Sequence, residues 1–387
     1  MNYSYADRGE RRRILTTSRN IVVKVGSNLL RNMPAERTEE LIGELARLRN
    51  SGYTVTLVTS GAIPVGMGIL GKNTRPRELA QRQALAALGQ CYLMQHYDNA
   101  CEKHGFHCAQ LLLTAADLKD RERNAHVTGC LRALHAEGVL PIINENDSVC
   151  VDEIKIGDND TLAAYVAAMV NADLTILRTT IDGFRETNAD GSLGQRISVI
   201  TELDDKLLAM AGSTDGNQFS TGGMITKLHA ASISMTSGHA LAIIDGTSFS
   251  VLTDFFAGKD IGTLFNGCSS NRPMRSWQRF LAFFSQPKGE LFLDAGAANA
   301  VAHNNRSLLP SGVLGLRGAF EQGDTVSLIA PDRTEIARGI VNFAYFDLAR
   351  ICGVKSSDIA HILGHPVDNP EAVHKDYMVL TGNAVKW

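Results

Sequence analysis

Between Asn144 and Asp160 the sequence reads NENDSVCVDEIKIGDND, six acidic side chains and three asparagines in a chain whose formal charge is only -3. Carboxylates beside carboxamides suit a small zwitterion, because the acids meet its ammonium group while amide and backbone donors meet its carboxylates. Two lysines offer the opposite charge. Lys24 stands in VVKVGS, followed at once by Gly26 and Ser27. A lysine buried among valines is costly unless it is paired or sits at a strand end facing a polar crevice; the plainer reading is a structural lysine that lifts its ammonium group to the surface. Lys227 stands in STGGMITK. There Gly222 and Gly223 allow backbone N–H groups to approach a phosphate, and a helix starting near Met224 aims its positive end at it. An N-cap by Thr221, with the glycines making only a turn, explains the same letters without a ligand. A further candidate, GMGILGKN from Gly66 to Asn73, nearly spells a phosphate loop. It fails because Asn73 replaces the hydroxyl that would hold Mg²⁺ and Pro76 stands where the next helix should begin.

These residues need elements to carry them. IVVKVGSNLL, YTVTLVTSGA, CAQLLLT, VLPIINEND, LTILRT and ALAIID are β-branched runs that end in loops. Between them lie TEELIGELARLRN, ELAQRQALAALGQCYLMQHYDNACEKHG and TLAAYVAAMVNAD, with apolar residues at helical spacing. This alternation predicts an α/β fold with a mainly parallel central sheet and helices on both faces. Ligands bind such sheets at the carboxyl ends of the strands, where KVGSN, TSGAIPVG and NENDSV fall. Past Gly267 the pattern changes to polar, proline-bearing sequence and then short glycine- and valine-rich runs. The reading is a first domain over residues 14–270, a linker over 271–284 and a small mostly-β domain over 285–380.

The bulk composition agrees with a two-domain globular protein, since 387 residues at 44% hydrophobic can bury substantial cores. Nearly balanced charge gives no global attraction to nucleic acid or to an anionic membrane. The apolar runs are too short to span a bilayer and GERRRIL lacks the apolar stretch of a signal peptide, so the expected location is the cytoplasm. The seven cysteines, Cys91, Cys101, Cys108, Cys130, Cys150, Cys268 and Cys352, include no CxxC pair. They are read as buried reduced thiols rather than bridges or zinc ligands.

With VVKVGS, VTSGA, INEND, KIGDND and STGGMITK in that order, the chain resembles the amino acid kinase family, and within it the glutamate 5-kinases, from about Ile21 to His365. INEND followed by IKIGDND, and RQALAALGQ followed by LLLTAADLKDRER, carry the resemblance most specifically. The tail from GELFLDAGAANAVAHNNRSLLPSGV through GDTVSLIAPDRTEIARGIVNF resembles a PUA domain. The resemblance implies the amino acid kinase fold and transfer of the ATP γ-phosphoryl group, with Mg²⁺, to the side-chain carboxylate of L-glutamate. That is the first step of proline synthesis, and it proceeds without a covalent intermediate. Carried over residue by residue, Ser60, Asp147 and Asn159 bind glutamate, with Asn144 and Asp158 lining the same pocket. Lys24 and Lys227 contact phosphate and Asp160 orients them. Gly26, Ser27, Thr179, Thr180, Thr221, Gly222, Gly223 and Met224 join the two lysines on the nucleotide side; no protein ligand for a metal is implied.

The nucleotide side departs from the family pattern. Thr180 stands where an aspartate is expected, Arg185 where a tyrosine is, and Ser220 where a glycine often precedes TGG. An active glutamate 5-kinase remains the main reading, because both lysines and the glutamate constellation are present. The alternatives are a relative acting on another amino acid or carboxylate, or a weakly active kinase body with an RNA-binding PUA domain. Arg306, Arg317, Arg333, Arg338 and Arg350 are interleaved with acids in the tail, which argues against nucleic acid. Resemblance further implies a homo-oligomer, dimer or tetramer, feedback inhibition by L-proline through the region of Cys150, Asp152 and Glu153, and a glutamyl phosphate reductase as the consumer of the labile product.

Overall fold

The computed structural model of the protein describes residues 3–27, 29, 35–150, 158–187, 192–204, 207–208, 210, 223–248, 250–266 and 276–381. It divides into two units, one of Met1–Leu118 with Glu122–Pro273 and one of Lys119–Arg121 with Met274–Trp387.

The first unit is built on strands β1 (Tyr3–Ser4), β2 (Asn20–Val25), β3 (Thr54–Val58), β4 (Cys108–Leu113), β5 (Leu140–Glu145), β6 (Leu174–Thr179), β7 (Arg185–Thr187), β8 (Leu193–Arg196), β9 (Val199–Ile200), β10 (Ala240–Asp245) and β11 (Thr263–Phe265). Among the described residues, β1-β9-β11-β10-β6-β2-β3-β5-β4 form one sheet, and β7 pairs with β8 apart from it. β10, β6, β2, β3, β5 and β4 are mutually parallel, as the alternating pattern predicts. β2 and β5 are buried on both faces along almost their whole length, which is why they read as mainly apolar runs rather than as alternations, whereas the edge strand β4 is largely half-buried. Among the described residues the helices are α1 (Arg8–Thr17), α2 (Ala35–Asn50), α3 (Ala62–Ile69), α4 (Leu79–Glu102), α5 (Ala115–Lys119), α6 (Arg121–Ala136), α7 (Asn159–Val170), α8 (Met224–Ser237) and α9 (Val251–Phe256). The chain from β2 continues to β3 on one side, whereas β6 and β10 extend the sheet on the other. β2 and β6 therefore meet where the connections diverge, the position at which parallel sheets open a binding crevice.

One close approach shapes the crevice. The near-miss phosphate motif lies in α3 and the turn after it, with Lys72 exposed, and its glycine serves helix packing. A Cβ on Gly66 would lie 2.1 Å from the Leu85 carbonyl oxygen, and one on Gly89 would lie 1.9 Å from the Ala62 carbonyl oxygen. The backbones of α3 and α4 touch at these two glycines. Gly61 starts α3 with φ 101°, a left-handed value that glycine adopts without strain and that turns the chain sharply after β3.

The second unit carries β12 (Gly289–Leu293), β13 (Val313–Gly318), β14 (Thr325–Ile329), β15 (Glu335–Val341) and β16 (Val373–Leu380), in the order β13-β12-β14-β15-β16. Its own core gathers Leu291, Val326, Leu328, Val341, Leu348 and Ile351. Four of the five tail arginines are locally engaged. Arg317 pairs with Glu290, Arg338 with Glu335, Arg333 lies over the Phe292 ring and Arg350 donates to the Ile362 carbonyl. The expectation of buried cysteines is corrected at two positions: Cys91 and Cys130 are exposed, on outward faces of α4 and α6, while Cys101 and Cys150 are buried. Helical periodicity is blind to this because a thiol is small enough for either face.

Gly89→Ala should destabilise the fold by about 1–3 kcal/mol, since the added methyl meets backbone that cannot swing aside. Gly68→Ala, in the same contact region of α3 but with open space around its Cβ, should be neutral or slightly stabilising. Thermal unfolding of both checks this; equal midpoints would contradict it.

Candidate active site

The loops and helix starts at the carboxyl edge of the parallel strands bring the predicted residues together. Lys24 is the penultimate residue of β2, level with Val58 of β3 and Leu177 of β6. It is only 8% exposed, Lys227 is 4% and Asp160 1%. Burial of all three is tolerable because they share one contact. The Lys24 Nζ lies 2.5 Å from Asp160 Oδ1 and the Lys227 Nζ 3.0 Å from Asp160 Oδ2. Burial alone would push the Asp160 carboxyl up, but the ammonium groups of Lys24 and Lys227 outweigh it and hold the acid below the usual carboxylate range. The group carries two positive charges and one negative.

Local structure explains the meeting. Asp158 caps α7 by accepting the Thr161 N–H at 2.9 Å, so Asn159 and Asp160 fall in the first turn, where the helix dipole favours a carboxylate. Gly223 begins α8 in extended conformation, and Lys227 follows one turn later on the face that packs against α7. Alanines 163, 164, 167, 230 and 231, all buried, let the two helices approach.

Beside the charged group lies a chain of amides. Asn159 Nδ2 donates to the Thr59 carbonyl at 2.8 Å, to Ser60 Oγ at 2.7 Å and to Asn144 Oδ1 at 3.0 Å. The Thr59 carbonyl can only accept, which fixes the Asn159 nitrogen toward the protein and leaves its oxygen for a ligand. Ser60, accepting from Asn159, keeps its own proton to donate. Asn144 is buried behind Asn159 at 2% exposure and takes the Glu145 N–H at 2.9 Å on the same oxygen. Its nitrogen donates to Gln90 Oε1 at 3.0 Å. Asn144 thus acts through Asn159. Gln90, on α4 beside the contact glycine Gly89, is a residue that the motif reading passed over. One oxygen of Asp158 caps the helix; Asp147 lies half-buried just past β5.

On the other side of Lys24, the Gly26 N–H donates to the Arg178 carbonyl at 3.2 Å and a Cβ there would lie 3.8 Å from Lys24 Nζ. Ser27 is exposed in the following turn, Thr179 closes β6 with its carbonyl accepting the Gly246 N–H at 2.7 Å, and Thr180 is exposed beyond it. Arg185, the departure from tyrosine, is held in a two-point pair with Asp182, Nη2 to Oδ2 at 2.6 Å. Gly223 and Met224 are half-buried at the start of α8. Thr221, Gly222, Ser220, Asp152 and Glu153 lie outside the described residues.

A buried carboxylate between two lysines, at the edge of a parallel sheet and next to a fixed amide relay, has sequence relatives. The profile of the amino acid kinase family matches residues 19–245, and that of the PUA domain matches residues 289–363. The chain belongs to the amino acid kinase family. Its relatives in this family include a glutamate 5-kinase of Desulfotalea psychrophila, 40% identical over 375 residues that cover 96% of this chain and 99% of that one. A glutamate 5-kinase of Caldanaerobacter subterraneus is 42% identical over 372 residues, covering 95% and 99%. Among solved structures, a carbamate kinase from Giardia lamblia bound to AMP-PNP overlaps 65% of this chain and 99% of its own at 18% identity, with a TM-score of 0.46, too loose a likeness to argue from.

Asp160→Asn would leave two buried ammonium groups without a counter-charge, and removing one member of such a group typically costs about 3–5 kcal/mol. Because the folded carboxyl titrates below its ordinary value, its stabilisation is present above about pH 4 and is lost on acidification through the lower folded value. Denaturant unfolding should therefore show a wild-type advantage at neutral pH that shrinks in acid. A difference independent of pH would contradict the ion-pair account.

Proposed function

We propose that this protein transfers the γ-phosphoryl group of ATP to the side-chain carboxylate of L-glutamate, forming L-glutamyl 5-phosphate for proline biosynthesis. The observation that carries the reading is the Lys24–Asp160–Lys227 group with the Asn159–Ser60 relay beside it. Near-full-length relatives named glutamate 5-kinase support it. The chemical obstacle is repulsion, since an anionic acceptor must meet an anionic phosphate. A buried group with one net positive charge opposes that repulsion most strongly where charge builds up on the transferring phosphoryl. No general base is required, because the attacking carboxylate is ionised at neutral pH.

The roles divide by chemistry. The Asn159 oxygen with the carboxylates of Asp147 and Asp158 receives the substrate ammonium group, and the Ser60 hydroxyl with the N–H groups opening α3 receives a carboxylate. Lys24 and Lys227 face the transferring phosphoryl, and Asp160 holds them apart and aimed. Gly26, Ser27, Thr179, Thr180, Thr221, Gly222, Gly223 and Met224 border the nucleotide. The cationic lining fits a polyphosphate, and Mg²⁺ accompanying the nucleotide would neutralise its remaining charge. By its likeness to its relatives we place the enzyme in the cytoplasm as a homo-oligomer, dimer or tetramer; no helix among the described residues is long and apolar enough to cross a membrane. Inhibition by L-proline at the region after β5 and consumption of the labile acyl phosphate by glutamyl phosphate reductase complete the proposal. The second unit's engaged arginines favour a structural or regulatory role over RNA binding.

The test is hydroxamate formation in hydroxylamine from Mg-ATP with L-glutamate, L-aspartate or N-acetyl-L-glutamate offered separately. Only glutamate should give product at low concentration, because aspartate is one methylene short and the acetylated acid has no ammonium group. Lys227→Ala should lower kcat by about a hundredfold or more while moving the glutamate KM little. Equal turnover of the acetylated acid, or a glutamate KM that rises with no change in kcat, would contradict these roles.

A further inference from the structure

Arg178 is the last residue but one of β6 and is 3% exposed. An arginine there interrupts an apolar strand, and nothing in the reaction proposed above uses it. Its guanidinium donates to Glu44 Oε2 at 3.0 Å, to both oxygens of Glu40 at 3.2 and 3.3 Å, and to the Gly246 carbonyl at 3.3 Å. Both acids come from α2. They in turn hold the start of α9, for the Leu252 and Thr253 N–H groups donate to Glu44 Oε1 at 2.8 and 3.2 Å and the Ser250 N–H to Glu40 at 3.3 Å. Ser250 supplies no side-chain cap of its own. The arrangement is tight around the guanidinium: a Cβ on Gly246 would lie 2.5 Å from Leu29 Cδ1 and 3.0 Å from Arg178 Cβ.

The backbone of the same residue reaches the nucleotide side. The Arg178 carbonyl takes the Gly26 N–H, the Leu29 N–H donates back to the Gly26 carbonyl, and the Thr179 carbonyl takes the Gly246 N–H. One residue thus joins the turns after β2, β6 and β10, those that carry Gly26, Thr179 and Gly246. We propose that Arg178, clamped by Glu40 and Glu44, is the positioning residue of the nucleotide side, setting the phosphate-facing turns after β2 and β6 and coupling them to the protonation of Glu44. This rests on the reading that those turns receive the nucleotide.

The coupling follows from stoichiometry, since two carboxylates face one guanidinium. Glu44 is met by Arg178 from β6, by Glu40 from its own helix and by the two N–H groups of α9. Burial and the bond to Glu40 raise its carboxyl to about 7, against the lowering pull of Arg178 and the Thr253 N–H. With Glu44 protonated, it shares its proton with Glu40 and the buried charges cancel. As pH rises through about 7 the proton leaves and a second negative charge remains in a buried place. A group raised in this way contributes its stabilisation at low pH and loses it on ascent, so the clamp loosens toward alkaline pH.

Three proteins test this: wild type, Arg178→Lys and Glu44→Gln. Lysine keeps the charge but cannot bridge two carboxylates and a carbonyl at once. Arg178→Lys should weaken Mg–AMP-PNP binding, measured by calorimetry, about tenfold, with the glutamate KM changed less than about twofold. In the wild type, Mg–AMP-PNP binding should weaken between about pH 6 and about pH 8, and in Glu44→Gln, which keeps the acceptor for α9 but cannot ionise, that component should vanish. The nucleotide's own titration is common to both proteins and cancels in the comparison. Unaltered AMP-PNP binding by a folded Arg178→Lys, or one pH profile shared by wild type and Glu44→Gln, would overturn the proposal. Calorimetry needs no turnover, so these outcomes are independent of whether glutamate is the acceptor.

Discussion

Everything at the candidate site depends on one buried carboxylate held between two ammonium groups. Neither lysine could be buried alone, and Asp160 could not stay ionised at 1% exposure without them. Their contact joins the end of β2 to the starts of α7 and α8. The surplus positive charge is what remains for chemistry. A single lysine with one acid would be neutral and two lysines alone would repel, whereas this grouping is stable and still cationic.

Around that centre the protein uses fixed dipoles rather than further charge. The amides of Asn144 and Asn159 are oriented by a backbone donor at one end and a backbone acceptor at the other, so their polarity does not have to be chosen when a ligand arrives. Preorganisation of this kind is worth more in a buried site than in water, because nothing must reorient during the reaction. The glycine contact between α3 and α4 supports it from behind, bringing Gln90 within reach of Asn144 while α3 starts directly after Ser60. Arg178 ties the turns after β2, β6 and β10 together in the same fixed way, through its carbonyl as much as through its guanidinium.

Much of this was legible in the sequence, for physical reasons. Six apolar runs ending in polar loops specified a parallel sheet, and the rule that such sheets bind at their carboxyl edge located Lys24, Ser60 and Asp147. Lys227 was legible as a charge one turn into a helix and Asp160 as one acid of a cluster; that they meet was implied only by resemblance. What periodicity could not show was which polar residue of a long helix turns inward. Gln90 lies in a helix whose apolar face is broad, and its role rests on the missing Cβ of its neighbour, a three-dimensional fact. Arg178 lies more than a hundred residues from Glu40 and Glu44, which sit one turn apart on α2, and the two acids read from the sequence as ordinary surface charges. Cys91 and Cys130 were misjudged because a cysteine's size says little about which way it faces.

The central claim is that the side-chain carboxylate itself attacks the γ-phosphorus in front of the lysine pair. The most direct measurement is isotope transfer, using L-glutamate with heavy oxygen in its side-chain carboxylate, Mg-ATP, and hydroxylamine to cleave the acyl phosphate at carbon. Phosphate carrying one heavy oxygen, seen by its phosphorus resonance shift, is the predicted result. Phosphate with ordinary oxygen only would mean that water, not the carboxylate, takes the phosphoryl group, and the arrangement around Asp160 would then need a different explanation.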